Sequence, residues 1–146
     1  MFNLSQVFSS FSVNNLQQAK DFYANIMELP VEEIHMGLLR IKLSPHHWVI
    51  MYEKNTHTPA GFTILNFPVG NIEEAVDKLT AKGIKFEQYE EPFATNEKGI
   101  SSTGEGPKIA WFKDPFGNIL SVLEEIETSD EINPGETPKT VPNEKA

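Results

Sequence analysis

The sequence predicts an α+β fold made of two tandem βαβββ modules, which form curved sheets around a central cleft. The first observation behind this prediction is an internal repeat. The segment VNNLQQAKDFY (Val13–Tyr23) matches VGNIEEAVDKL (Val69–Leu79) at an offset of 56 residues. Further along, SPHHWVIMYE (Ser44–Glu53) matches DPFGNILSVL (Asp114–Leu123) at an offset of 70 residues. The second observation is that both copies show one alternating run, one helical run and then three short alternating runs.

Both predicted helices begin with a capping-box pattern. Asn15 is followed three residues later by Gln18, and Asn71 is followed by Glu74. Each Asn side chain should therefore accept a hydrogen bond from the third helical N–H. Gly83 supplies a left-handed stop for the second helix. The strands predicted after the helices are 33–36, 38–43 and 48–53 in the first copy, and 85–88, 108–113 and 119–124 in the second.

The repeat also sets the boundaries of the two modules. The first module is predicted to span residues 1–58 and the second residues 59–127, and together they form one structural domain. Residues 128–146 are an acidic tail with three prolines and no apolar periodicity. Such a composition is typical of a flexible segment.

Composition disfavours several classes of function. The chain has no cysteine, which excludes disulfides, thiolate metal sites and a cysteine nucleophile. Its net charge of −9, without a stripe of Lys and Arg, disfavours nucleic-acid binding. No apolar stretch reaches the roughly 18–20 residues that cross a bilayer, and the N-terminus shows no signal-peptide pattern. We therefore expect a cytoplasmic protein with neither a nucleic-acid nor a membrane partner.

Two segments carry a resemblance to a known family. FSVNNLQQAKDFY, and WFKDPFGNILSVLE with its Asp114-Pro115-Phe116-Gly117-Asn118 turn, are similar to the vicinal oxygen chelate superfamily. This superfamily includes glyoxalases, extradiol dioxygenases, fosfomycin-modifying enzymes and bleomycin-resistance proteins. The resemblance covers about residues 5–127 and implies the two-module fold. It also implies a homodimer, since members of the superfamily often assemble in pairs.

Metal-dependent members of that superfamily carry His, Gln or Glu at four strand positions that point into the cleft. The resemblance, together with the internal repeat, places these positions at Phe8, Met51, Ile64 and Ser121. Phenyl and alkyl groups donate no electron pair, a thioether suits hard ions poorly, and a lone neutral hydroxyl is a weak ligand. The sequence therefore predicts that the metal site is lost and that no cofactor is bound.

Other catalytic arrangements receive little support from the sequence. His46 and His47 are adjacent, so on an extended chain they point to opposite faces. A site that combines one histidine with Glu53 is conceivable, but it lacks a third ligand, and solvated surface histidines are favoured. No serine lies in a Gly-x-Ser-x-Gly elbow. The glycine-containing segment Glu91–Gly106 is interpreted either as a flap that carries binding residues or as a variable surface loop.

Strand alternation predicts which side chains line the cleft. The predicted lining is apolar and aromatic with a few polar groups, the usual makeup of a small-molecule pocket. The alternative is a filled core without room for a ligand. The predicted ligand-binding residues are Phe8, Ser10, Met51, Glu53, Ile64, Asn66, Trp111 and Ser121.

Three functions follow from these observations. The first is metal-independent binding of a small, partly hydrophobic molecule, for sequestration or sensing, in the manner of bleomycin-resistance-like proteins. The second is a metal-free isomerase or lyase that uses Glu53 as a general base, since an apolar cleft would raise the pKa of that carboxyl. The third is a structural protein with a filled cleft. Catalytic residues cannot be assigned from the sequence, and whether the chain is an enzyme stays open.

Overall fold

The computed structural model describes residues 1–125, so the predicted tail at 128–146 lies outside the described residues. Within residues 1–125, no helix is long and apolar enough to span a membrane. The first module contains β1 (Ser9–Val13), α1 (Leu16–Lys20) with a π-helical continuation (Asp21–Ile26), β2 (Val31–Ile34), β3 (Leu38–Ser44) and β4 (His47–Glu53). The second contains β5 (Thr63–Val69), α2 (Ile72–Ala81), β6 (Ile100–Ser101), β7 (Ile109–Lys113) and β8 (Ile119–Glu124).

The two modules have the same topology. The first sheet has the strand order β1-β4-β3-β2, and the second has the equivalent order β5-β8-β7-β6. In each sheet the first and last strands of the module pair in parallel, and the other pairs are antiparallel. The predicted tandem repeat of βαβββ modules is confirmed.

The helix ends form as predicted, but the first helix changes its winding. Asn15 accepts a hydrogen bond from the Gln18 N–H at 2.9 Å, and Asn71 accepts one from the Glu74 N–H at 3.0 Å. The helix from Leu16 is α-helical only to Lys20 and then continues as a π-helix to Ile26. The wider π turn lets the adjacent rings of Phe22 and Tyr23 both be buried, with their centroids 4.9 Å apart.

The predicted strand at 85–88 was wrong as a regular strand. Phe86 forms a single bridge with Phe112, and β6, from the long loop that follows, pairs with the other end of β7. Two short segments therefore share one edge of β7. The loop returns over Phe86 at Gly99, which has a φ of +85°, and a Cβ there would lie 2.7 Å from the Phe86 Cβ. The shared edge thus depends on a glycine at this position.

The two modules share one hydrophobic core on the helix-covered sides of their sheets. Tyr23 and Met51 of the first module belong to the same buried cluster as Ile72, Phe112 and Leu120 of the second. A half-covered sheet in each module predicts that the two uncovered faces bury against each other. The structure instead joins the modules through their helix-covered sides, and large side chains on the uncovered faces stay exposed.

The buried carboxylate of Asp114 forms the main polar joint between the modules. Its Oδ1 accepts the backbone N–H groups of Phe116 and Asn118 at 2.9 and 2.8 Å. Its Oδ2 accepts the Asn118 side-chain amide at 2.8 Å and the Tyr23 hydroxyl at 2.6 Å. Asn118 also donates to the carbonyl of Ser12 at 3.1 Å. The Asp-Pro-Phe-Gly-Asn turn is thus tied to both the first helix and the first strand.

Replacing Tyr23 with Phe should destabilise the protein by about 1.5–3 kcal/mol, since a buried hydrogen bond to a charged group is lost. Urea denaturation of the variant and the wild type measures this difference. Tyr52→Phe is the matched control, because Tyr52 is exposed on the first module, and its free energy of unfolding should stay within about 0.5 kcal/mol of the wild type. Equal losses in both variants would contradict the assigned joint.

The same hydroxyl should give the protein an alkaline limit. Burial, with the adjacent Asp114 charge and hydrogen bond, raises the pKa of Tyr23 well above its usual value of 10.0. The unfolded chain loses this proton above about pH 10 and the folded chain keeps it, so stability falls as pH rises through that value. Urea denaturation at increasing pH should show a shallower loss for Tyr23→Phe than for the wild type.

Candidate functional site

The strand register shows which predicted site residues face away from the open side of the first module. β1 and β4 pair in parallel with Phe11 beside Met51 and Val13 beside Glu53. Phe11 packs against Tyr23 with ring centroids 5.8 Å apart, and Met51 is fully buried in the core. Met51 and Glu53 therefore lie on the helix-covered face. Their predicted position in the cleft was wrong.

The error is one residue in the internal alignment. Glu53 accepts the Leu16 N–H at the start of α1 at 3.2 Å, and Glu124 accepts the Ile72 N–H at the start of α2 at 3.2 Å. These two glutamates are structural counterparts, so the offset between the last strands is 71 residues rather than 70. The match of the two turn prolines suggested 70, and a slip of one residue moves every side chain to the other face. Ile50, rather than Met51, is the counterpart of Ser121.

The other predicted residues fall into separate places. Phe8 and Ser10 lie at the start of the first sheet on its open side, where Phe8 is 54% exposed. Ile64 lies at a register shift between Thr63 and Leu65 and packs against the core. On the second sheet, Ser121 is next to both Asn66 and Trp111 in register.

Asn66, Trp111 and Ser121 are the predicted residues that the structure brings together on the second module. The Ser121 hydroxyl donates to the Asn66 amide oxygen at 2.6 Å. Ser121 itself is fully buried. Its hydroxyl is therefore held by a neighbour on the same sheet, which fixes the polar floor beside Trp111.

A cavity lined with aromatic rings lies over this face of the second module. Trp111 meets the ring of Tyr89 at 5.5 Å and 78°, and the ring of Phe93 at 6.3 Å and 71°. Phe62 and Ile119 complete the apolar lining of a cavity of about 400 Å³. We call Phe62, Tyr89, Phe93 and Trp111 the aromatic corner. All residues that line this cavity belong to the second module.

Sequence reasoning missed Tyr89 and Phe93 as site residues. Neither lies in a regular strand, so strand alternation says nothing about where its side chain points. The usable signal was the long loop from Glu91, whose sequence is compatible with a flap or with a variable surface loop. The structure places Phe93 of this loop against Trp111.

The charges around the aromatic corner are acidic. Glu90 and Glu91 contribute to the lining, and none of the lining residues is Lys or Arg. Partial burial and the neighbouring Glu87 carboxylate raise the pKa of Tyr89, so its hydroxyl stays neutral at physiological pH. Lys113 lies 3.9 Å from Glu87, where it forms an ion pair outside the lining.

The open face of the first module carries different chemistry at the equivalent position. Arg40 is the counterpart of Trp111, since both pair with the residue next to the module's first strand. The guanidinium of Arg40 lies over the ring of Trp48, 5.5 Å from its centroid. It also forms an ion pair with Glu32.

A Ser12–His57 pair lies at the junction of the modules. The Ser12 hydroxyl is 2.6 Å from His57 Nδ1, and His57 Nε2 is 3.1 Å from the carbonyl oxygen of Phe116. A carbonyl only accepts, so Nε2 carries the proton and Nδ1 accepts from Ser12. The sequence favours solvated surface histidines, but His57 is half-buried. The pair was missed because its members are 45 residues apart and meet only through packing.

The family comparison places this geometry among known proteins. The family model described as Glyoxalase/Bleomycin resistance protein/Dioxygenase superfamily matches residues 5–122. The chain belongs to this superfamily. No curated protein matches the sequence, whereas many solved structures match its fold.

Three similar structures illustrate the range of the superfamily. A glyoxalase family protein from Enterococcus faecalis has 24% identity and a TM-score of 0.60, covering 80% of this chain and 94% of that one. The fosfomycin resistance protein FosX from Listeria monocytogenes has 12% identity and a TM-score of 0.62, with 83% and 93% covered. TnmS3, an antibiotic binding protein from a Streptomyces species, has 17% identity and a TM-score of 0.57, with 81% and 94% covered. These likenesses show the fold.

The side chains at the superfamily's four metal-ligand positions do not fit a divalent metal. With the corrected register these positions are Phe8, Ile50, Ile64 and Ser121. Three are hydrocarbon side chains, and the Ser121 hydroxyl is directed to Asn66, so the set lacks the charged oxygen or imidazole donors that such an ion needs. Within residues 1–125, no three His, Asp or Glu side chains come close enough to hold a metal.

The Ser12–His57 pair should act as a joint between the modules. Ser12→Ala and His57→Ala should each lower the free energy of unfolding by about 1 kcal/mol, measured by urea denaturation. The double variant should lose less than the sum of the two, because both single variants break the same hydrogen bond. Ser10→Ala, an exposed residue on the same strand, is the control and should change little. Additive losses for Ser12 and His57 would show that the two residues are not coupled.

Proposed function

We propose that this protein binds a small, partly hydrophobic molecule in the aromatic corner of its second module, without a metal ion, for sequestration or sensing. The observation that carries this proposal is the cavity of about 400 Å³ beside Trp111 and Ile119. It lies on the face where the superfamily builds its site, next to a ligand position that here holds Ser121. An apolar cavity of this size with a few polar groups is typical of small-molecule sites.

The comparisons support a binding role. TnmS3 is described as an antibiotic binding protein, and FosX as a fosfomycin resistance protein. Both share the fold of this chain, so the scaffold accommodates small molecules with or without bond making. Fold similarity at these identities does not transfer a ligand, and we infer the ligand's chemistry from the cavity alone.

The enzyme alternative loses the residue on which it relied. Glu53 was the predicted base, but its carboxylate is exposed, lies on the opposite face from the open side and caps α1. The filled-cleft alternative is disfavoured by the cavity itself. Phe62 and Phe93, which line the cavity, are 70% and 58% exposed, so the aromatic corner is open rather than packed.

Homodimerisation is the second part of the proposal. The N-terminal segment carries a group of exposed apolar side chains on the open side of the first module, namely Met1, Phe2, Leu4, Val7 and Phe8. A second copy that covers this segment would remove the group from water, and exposed apolar patches are typical of interaction surfaces. The cytoplasmic location expected from the sequence stays a prediction.

Trp111→Ala should abolish ligand binding in the aromatic corner. Titration with Nile red, a neutral apolar dye, should give a blue-shifted and brighter emission with the wild type. The signal should fall at least about tenfold in Trp111→Ala, since a large stacking surface is lost. Trp48→Ala is the matched control, because this tryptophan lies on the first module, and it should bind like the wild type. Equal loss in both variants would place the dye elsewhere.

Native mass spectrometry tests metal independence and assembly together. After incubation with excess zinc, nickel, manganese and ferrous iron, followed by exchange into metal-free buffer, we expect a species of twice 16.4 kDa without added metal mass. The reason is the donor-poor set at the four ligand positions. One retained metal per chain would contradict metal independence, and a spectrum of monomer alone would contradict the proposed dimer.

A further inference from the structure

We propose that the molecule bound in the aromatic corner is an organic cation, with a quaternary ammonium or a substituted guanidinium group held against Trp111. The inference rests on the proposed binding function and adds the chemical class of the ligand. It is carried by three observations: the arrangement of the rings, the sign of the charges at the rim, and the counterpart of this position in the first module.

The rings are arranged as the walls of an open box. Tyr89 and Phe93 both stand steeply to the Trp111 ring, at 78° and 71°. Rings that meet at such angles present their faces or edges to a shared space instead of stacking flat on one another. A cation placed within about 6 Å of an aromatic face is attracted by the ring quadrupole. Several rings around one space are the known physical means of holding a quaternary ammonium group.

The charges at the rim have the sign that a cation requires. Glu90 and Glu91 line the cavity, and its lining contains no Lys or Arg. The rest of the chain adds to this field, since the net charge is −9. An anionic ligand would face both the carboxylates and the electron-rich ring faces, so the cavity discriminates against it.

The first module shows the same type of contact within the chain. Arg40, the counterpart of Trp111, lies 5.5 Å from the centroid of the Trp48 ring. There the repeat supplies the cation and a neighbouring strand supplies the aromatic ring. In the second module the repeat supplies the aromatic ring at the equivalent position, and the cation is missing from the lining. The ligand would supply it.

The experiment compares two probes of equal shape and opposite character. These are meta-hydroxyphenyl-trimethylammonium, which is a cation, and meta-tert-butylphenol, its neutral carbon isostere. The chain has two tryptophans, so a proton–nitrogen NMR spectrum contains two indole signals, and Trp48→Phe assigns them. We expect the cation to shift the Trp111 signal and to bind about tenfold more tightly than the isostere.

Charge variants separate the rim from the rings. Glu90→Gln combined with Glu91→Gln should weaken the cation several-fold and leave the isostere unchanged, and added salt should have the same effect. Glu105→Gln, an exposed residue later in the same loop, is the control and should change neither probe.

The outcomes distinguish the inference from the proposed function. Equal affinity of the two probes at Trp111 would overturn the cation inference and leave the binding function intact. Nile red binding at Trp111 without any response to the cation would do the same. If neither the probes nor the dye perturbs Trp111, the binding function and the inference both fail.

Discussion

Four hydrogen-bond donors converge on the buried carboxylate of Asp114, and the arrangement of the two modules depends on them. A buried carboxylate costs several kcal/mol unless its oxygens are satisfied. Two of the donors come from the turn itself, one from Asn118, and one from Tyr23 of the first module. Asn118 then extends the network to the first strand. The Asp-Pro-Phe-Gly-Asn motif therefore specifies how the modules join, and by itself it specifies no chemistry.

This joint determines where a ligand can bind. Because the modules share a core on their helix-covered sides, each sheet keeps an uncovered face. The two faces have diverged at equivalent positions of the repeat. The first carries Arg40 in contact with Trp48, and the second carries Trp111 with Tyr89 and Phe93 around it. One scaffold thus presents a cationic face and an aromatic face with acidic neighbours, and the aromatic face holds the cavity that a cation would fit.

The change at the superfamily's ligand positions alters what the site can do. A metal site demands several convergent charged or imidazole donors, whereas Phe8, Ile50 and Ile64 offer none and Ser121 bonds to Asn66. Binding energy must then come from apolar burial, ring contacts and the surrounding acidic field. Such a site suits recognition better than bond making, because the four ligand positions lack the donors for a metal, and the predicted base Glu53 serves as a helix cap.

The sequence by itself determined the features that depend on local hydrogen bonds and on periodicity. These are the repeat, the Asn15 and Asn71 caps, the Gly83 helix end and most of the strands. It also identified Asn66, Trp111 and Ser121 as neighbours on one face. The tertiary structure decided the rest, because those features depend on contacts between distant segments. They include the one-residue shift that turned Met51 and Glu53 away from the open face, the Ser12–His57 pair, and the packing of Tyr89 and Phe93 on Trp111. No periodic pattern encodes a loop's path, and a chance match of two prolines outweighed the true register until the strand pairing was seen.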